Sequence, residues 1–321
     1  MRVRAPLRWR LYRPFWLEAS QARRLTEQAL VVVALLLTGG CDAPKPALPA
    51  PATSVPPQPS TFNAATARSL SGRVIWSGSV PQIPVFKVMP NPLGGAILRQ
   101  RQTRPNPNRP IIHPTSHGLA GAVVFLRGVD PQRAKPWDRA AVAVEQRDCQ
   151  LQVLQGKTVA SVGFVRQGDE IEMVSRDSWL HALHAGGASF FTLMFPDPNQ
   201  PRRRKLLNPG IVELSSNSGY FWMRGYLFVD QHPYYCRTDD AGRFSLTGIP
   251  SGTYQLVAWH PNWQVARQER DPESGLVNRI SFAPPLTIET EIALKNTDIS
   301  DLVISMSAAV PTSSGKSEPL K

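Results

Sequence analysis

Residues 237–259 read RTDDAGRFSLTGIPSGTYQLVAW. Asp239 to Gly242 has the composition of a tight turn. An Asp side chain can bond its own backbone, and Gly accepts the left-handed conformation. After the turn, Phe244 and Leu246 fall on one face of an extended run, with Ser245 between them. Such period-2 spacing marks a half-buried strand. Residues 247–252 form a second turn segment, where Gly252 is expected to supply a conformation that other residues resist. Residues 253–259 resume as a β-rich run. Two short strands punctuated by Gly and Pro belong to an all-β fold.

The rest of the chain repeats this grammar. Residues 71–77 (SGRVIWS) and 121–127 (GAVVFLR) are short β-rich runs bounded by Gly. Within 170–174, Ile171 and Met173 share one face and Glu170 and Glu172 the other. Residues 211–214 are a further run, and 225–230 are almost wholly apolar. Ile288, Thr290, Ile292 and Leu294 alternate with Glu289, Glu291, Ala293 and Lys295. With 31 prolines and 22 glycines in 321 residues, short strands and turns are favoured over long helices. We expect two Greek-key-type β-sandwiches. Residues 91–116 read as a long loop, and 308–321 as a disordered polar tail.

The first forty residues have a different character. Seven arginines precede the apolar run 29–37 (ALVVVALLL), and Thr38-Gly39-Gly40 leads into Cys41. A basic region, a short apolar region and small residues make a secretory signal. The apolar run is too short to cross a bilayer. The T-G-G-C ending resembles a bacterial lipobox, which implies lipidation of Cys41 and a membrane-anchored location in the periplasm or at the cell surface. A proline-rich linker, assigned to 41–70, follows and suits a tether. Those forty residues hold seven arginines against two glutamates, so their removal lowers the formal charge from +12 to +7. The densest basic run, Arg202-Arg203-Arg204-Lys205, reads as a solvated loop. No nucleic-acid motif accompanies it, so no nucleic-acid partner is expected. After Cys41, only Cys149 and Cys236 remain as a candidate disulfide of an exported protein.

Two family resemblances follow from the motifs. Thr238, Asp239, Gly242, Phe244, Leu246, Pro250, Gly252, Tyr254 and Leu256 carry a pattern that resembles the carboxypeptidase regulatory-like domain, a transthyretin-like sandwich. Its opening half appears as Gly72–Val74 and Gly121–Leu126. The resemblance therefore assigns residues 71–128 plus 236–307 to one domain, with residues 139–235 inserted between its strands. The insert resembles a plastocyanin-like cupredoxin. That likeness rests on 168–174 with 176–184, on Pro209-Gly210-Ile211-Val212, on Trp222–Tyr226 and on 230–235.

The cupredoxin resemblance implies a copper site, and the residues deny most of it. Blue copper takes two histidines, a cysteine thiolate and a weak axial methionine. The first histidine falls on His181 and the methionine on Met223, but Asn217 and Tyr220 stand where the family has Cys and His. An amide oxygen and a phenol replace neither ligand. The alternative is an atypical copper site drawing on His181 and Met223, with His184 or His232 and sulfur from Cys149 or Cys236. Tyr220, Phe221, Trp222 and Tyr226 cluster where the metal loop would lie. They either fill core volume, or Tyr220, Trp222 and Tyr226 form a surface for a protein or glycan partner. No G-x-S-x-G, H-E-x-x-H, P-loop or dinucleotide fingerprint is present. The sequence thus points to a non-catalytic, membrane-anchored binding or scaffold protein without a cofactor. A copper-binding or electron-transfer protein is the alternative.

Overall fold

The computed structural model describes residues 61–90 and 99–308. The signal, Cys41, the linker up to residue 60 and the tail from residue 309 lie outside the described residues. The described chain is an all-β protein. Its single helical element among those residues is a 3-10 turn, Ala64–Thr66, capped by the Asn63 side chain.

Four sheets stack as layers. A three-stranded sheet orders Arg243–Ile249, Arg68–Trp76 and Ile299–Met306. A four-stranded sheet orders Tyr235–Arg237, Val123–Arg127, Gly252–His260 and Leu286–Leu294. These two enclose a core containing Leu70, Trp76, Leu126, Phe244 and Leu294. A five-stranded sheet orders Val162–Arg166, Arg224–Asp230, Gly210–Ser216, His181–Gly187 and Phe191–Phe195. Its partner orders Arg202–Lys205, Glu170–Ser175, Val142–Arg147, Gln150–Gln155 and Thr158–Ala160. These two enclose a second core containing Ile171, Met173, Leu183, Phe195 and Leu227.

A third apolar layer joins the two sandwiches. Val123, Phe125, Val257 and Trp259 project from the four-stranded sheet onto Val162, Phe164, Tyr226 and Phe228 of the first five-stranded sheet. Their sequence neighbours Val124, Leu126, Leu256 and Ala258 face the other way, into the first core. Leu227 and Val229 likewise face the second core. This explains why 121–127 and 225–230 are continuously apolar rather than alternating: both faces of each strand are buried. Phe228 lies within 5.1–6.1 Å of the rings of Phe125, Phe164, Tyr235 and Trp259.

The quoted segment folds for identifiable reasons. Asp239 Oδ1 accepts from Ala241 N at 2.9 Å and Arg243 N at 2.8 Å, closing the turn. Buried Thr238 donates to Leu119 O at 2.6 Å and accepts from Ala122 N at 2.9 Å, tying the turn to the neighbouring strand. Gly242 has φ +77°, and a Cβ there would sit 2.3 Å from Val74 O. Gly252 is needed for another reason than expected. Its φ is not left-handed; a Cβ would instead sit 2.7 Å from the Tyr254 hydroxyl. The link 250–251 is a corner between sheets, because Arg243–Ile249 pairs with Arg68–Trp76 while Gly252–His260 pairs with Leu286–Leu294.

Three further expectations are corrected. Arg202–Lys205 is an edge strand paired with Glu170–Ser175, not a loop. Its cations suit an open edge, where charge discourages pairing with another chain, and Arg203 bonds Glu172 at 2.8 Å. The region 91–116 is not one loop. It contains strands Gln102–Arg104 and Ile111–Ile112, and its Asn106 and Asn108 are buried, donating to the backbones of Trp263 and Asn262. The first strand begins at Arg68, inside the assigned linker, because Leu70 is fully buried in the first core.

Candidate functional site

The expected metal loop joins Gly210–Ser216 to Arg224–Asp230. Asn217 is exposed, and its Oδ1 accepts from Arg279 at 3.1 Å. Tyr220 is buried with its ring 5.0 Å from that of His181, and burial pushes its phenol up to about 12. Met223 is buried in the second core. The residues therefore do not fit a blue-copper centre: one imidazole and one thioether remain, with no thiolate or second imidazole from this loop.

The proposed aromatic surface also needs correction. Tyr220, Trp222 and Tyr226 are 6%, 7% and 6% exposed, and they face two different layers. Trp222 donates to Cys149 O at 2.8 Å, and the Arg104 guanidinium lies over its ring. Tyr226 donates to Asn108 Oδ1 at 3.0 Å and packs edge-on against Trp259. They fill volume between layers and do not form one exposed surface, although Tyr226 also borders a cleft.

Of the candidate ligands, the structure brings His181 and Cys149 together and adds Asp177, which the sequence reading did not single out. Ligand atoms of the three lie within 4.8 Å of one another, all buried. Asp148 and Cys149 form the two-residue link of the hairpin Val142–Arg147/Gln150–Gln155, with φ 52° and 55°. That is the type I′ geometry usually filled by Asn-Gly. Asp177 holds it, accepting from Asp148 N at 2.7 Å and Cys149 N at 3.1 Å. Asp177 Oδ2 also pairs with His181 Nε2 at 2.7 Å. Burial lowers the His181 pKa, with Asp177 opposing it. Burial likewise pushes the Cys149 thiol up to about 12.

The other candidates lie apart from this cluster. His184 is three residues along the strand and faces away from the core, bonding Thr192 at 3.3 Å. His232 stacks on Tyr235 beside Asp230. Cys236 packs against the first core while Cys149 belongs to the second, and both are free thiols, so the candidate disulfide is not formed.

A second site lies where the layer between the sandwiches opens. The hairpin Val265–Arg270/Val277–Phe282 leaves the four-stranded sheet and reaches the second sandwich. There Arg224 donates to Ile280 O, and Ile280 joins the second core. Under this arm is a cleft of about 550 Å³ lined mainly by apolar atoms, including Tyr226, Trp259 and Phe282. Arg224, Arg279 and Glu213 converge on it. Arg224 bonds Glu213 at 2.7 Å and lies over the Phe282 ring. His184 is on the lining too, its pKa lowered by burial and then by Arg279. Two guanidinium groups against one carboxylate leave the cleft with one excess positive charge. No sequence pattern announced it, because its lining comes from five separate stretches of chain.

No family model and no curated protein matches this chain. Among solved structures, it is similar to a mutant of amicyanin in the reduced state, at 19% identity over 28% of this chain and 81% of the amicyanin, TM-score 0.22. A copper-containing nitrite reductase from Thermus scotoductus SA-01 aligns at 17% identity over 30% of this chain and 24% of its own, TM-score 0.23. A Cu(I) form of another amicyanin mutant aligns at 15% identity over 33% of this chain and 97% of its own, TM-score 0.23.

Proposed function

We propose that this chain is an exported, lipid-anchored, non-catalytic binding protein that takes a small ligand in the cleft between its sandwiches. In this reading one sandwich is regulatory-like and the other is cupredoxin-like, with its copper loop converted to core. The carrying observation is the cleft itself: an apolar, aromatic-lined recess at the junction of two packed units, with a few charged groups converging on it. Such junctions are the usual place for small-molecule sites. Its excess positive charge favours a flat apolar molecule with one negative group. The basic and apolar run ending at Cys41 supports export and anchoring.

The test uses 8-anilinonaphthalene-1-sulfonate, which combines aromatic rings with one anion. We expect one site per chain. Ser215→Trp, which fills the cleft from its sheet floor, should weaken binding at least tenfold without altering the thermal midpoint. Equal dye affinity in S215W would remove the cleft from the account. The rival reading, copper handling, has one observation in its favour: Cys149 reaches His181 from a different hairpin. That set still lacks the second imidazole of a blue-copper centre.

A further inference from the structure

The Cys149–Asp177–His181 cluster is left unused by the cleft. Its residues are 0%, 6% and 0% exposed, so an ion held there is shut off from bulk solvent and at most an enclosed water molecule reaches it. Asp177 Oδ1 accepts from Asp148 N, while Oδ2 accepts from Cys149 N at 3.1 Å and also pairs with the His181 ring. The second nitrogen of that ring, Nδ1, is buried without a hydrogen-bond partner. Beyond the imidazole, no ion pair reaches the Asp177 carboxylate among the described residues. A buried carboxylate facing a thiol and an imidazole, with no guanidinium in ion-pair contact with it among the described residues, is a donor set that a metal cation would complete.

We propose that Cys149 Sγ, Asp177 Oδ2 and the His181 imidazole form a site for one zinc ion. The proposal stands independently of the cleft. Sulfur, nitrogen and oxygen together are donors zinc accepts. Charge points to a dication. A thiolate and a carboxylate cancel a dication, giving the neutral site that burial requires, whereas Cu(I) would leave a buried negative charge. Calcium and magnesium take oxygen ligands and would leave the sulfur unused. Zinc binding replaces the thiol proton, which is released to solvent, and no electron is transferred. Tetrahedral zinc holds its ligand atoms about 3.5 Å apart; the cluster's 4.8 Å limit brackets that spacing, and the Asp177 Oδ2–His181 Nε2 pair, now 2.7 Å apart, opens by several tenths of an ångström to admit the ion. Three protein ligands leave the fourth position to a water molecule.

The test strips the purified full chain with chelator and titrates it with Zn(II), reading stoichiometry by elemental analysis. We expect one zinc per chain, bound at least tenfold more weakly in Cys149→Ser and in His181→Gln, and unchanged in Cys236→Ser. Near-ultraviolet circular dichroism of the metal-free variants checks that they fold. X-ray absorption at the zinc edge of the unaltered chain should find one sulfur neighbour, a readout that needs no variant. Absence of stoichiometric zinc, undiminished affinity in C149S, or a zinc shell without sulfur would each overturn the site.

Discussion

His260 ends the strand Gly252–His260 and is 4% exposed, with Nδ1 2.8 Å from the Pro261 carbonyl oxygen. Burial lowers its pKa from 6.5 to about 4, only partly opposed by that bond. The sign of the consequence follows from proton binding. Below pH 6.5 the unfolded chain takes up a proton that the folded chain refuses until about pH 4. Stability therefore falls as the pH is lowered through that window. At pH 4.5 the unfolded histidine is almost fully protonated and the folded one only about one quarter. The loss relative to pH 7 is then about 2 kcal/mol. His260→Asn keeps a side-chain N–H near the Nδ1 position but cannot titrate. Urea denaturation at pH 7.0 and 4.5 should show the unaltered chain losing about 2 kcal/mol more than H260N, roughly 1 M in midpoint. His181 and His232, also lowered by burial, titrate in both proteins and cancel in the difference. Equal losses in the two proteins would refute the claim that this histidine is held neutral in a dry interior.

Gly242→Ala places a methyl against Val74 O in a left-handed backbone position, and should cost more than about 3 kcal/mol in chemical denaturation. Phe228→Ala removes the ring around which the layer between the sandwiches is packed, and should cost about 3–5 kcal/mol. Phe190→Ala, at a side chain 82% exposed, should stay within about 0.5 kcal/mol of the unaltered chain.

Strand content was legible wherever one face is wet. The alternation in 288–294 and in 170–174 maps onto buried and exposed sides of the observed strands, except at Thr290, which is exposed. The runs 121–127 and 225–230 were legible as strands, but which layers they separate depends on two sandwiches meeting, which periodicity does not encode. Arg202–Lys205 was misread because local charge argues for solvent, whereas its pairing is set by the distant Glu170–Ser175. The hairpin at Asp148-Cys149 escaped notice because its sequence lacks Asn-Gly, and its left-handed backbone is held instead by Asp177, twenty-eight residues beyond Cys149. Missing ligands at 217 and 220 were readable directly. The burial of Tyr220, Trp222 and Tyr226 was not, because aromatic side chains suit cores and binding surfaces alike.

Copper chemistry separates the proposed function from its rival. The full chain, purified without added metal and then equilibrated with excess Cu(II) and desalted, should carry no centre with a blue-copper spectrum. One tightly held copper per chain that is lost in Met223→Leu, the potential ligand this loop retains, would contradict the conversion of this loop to core.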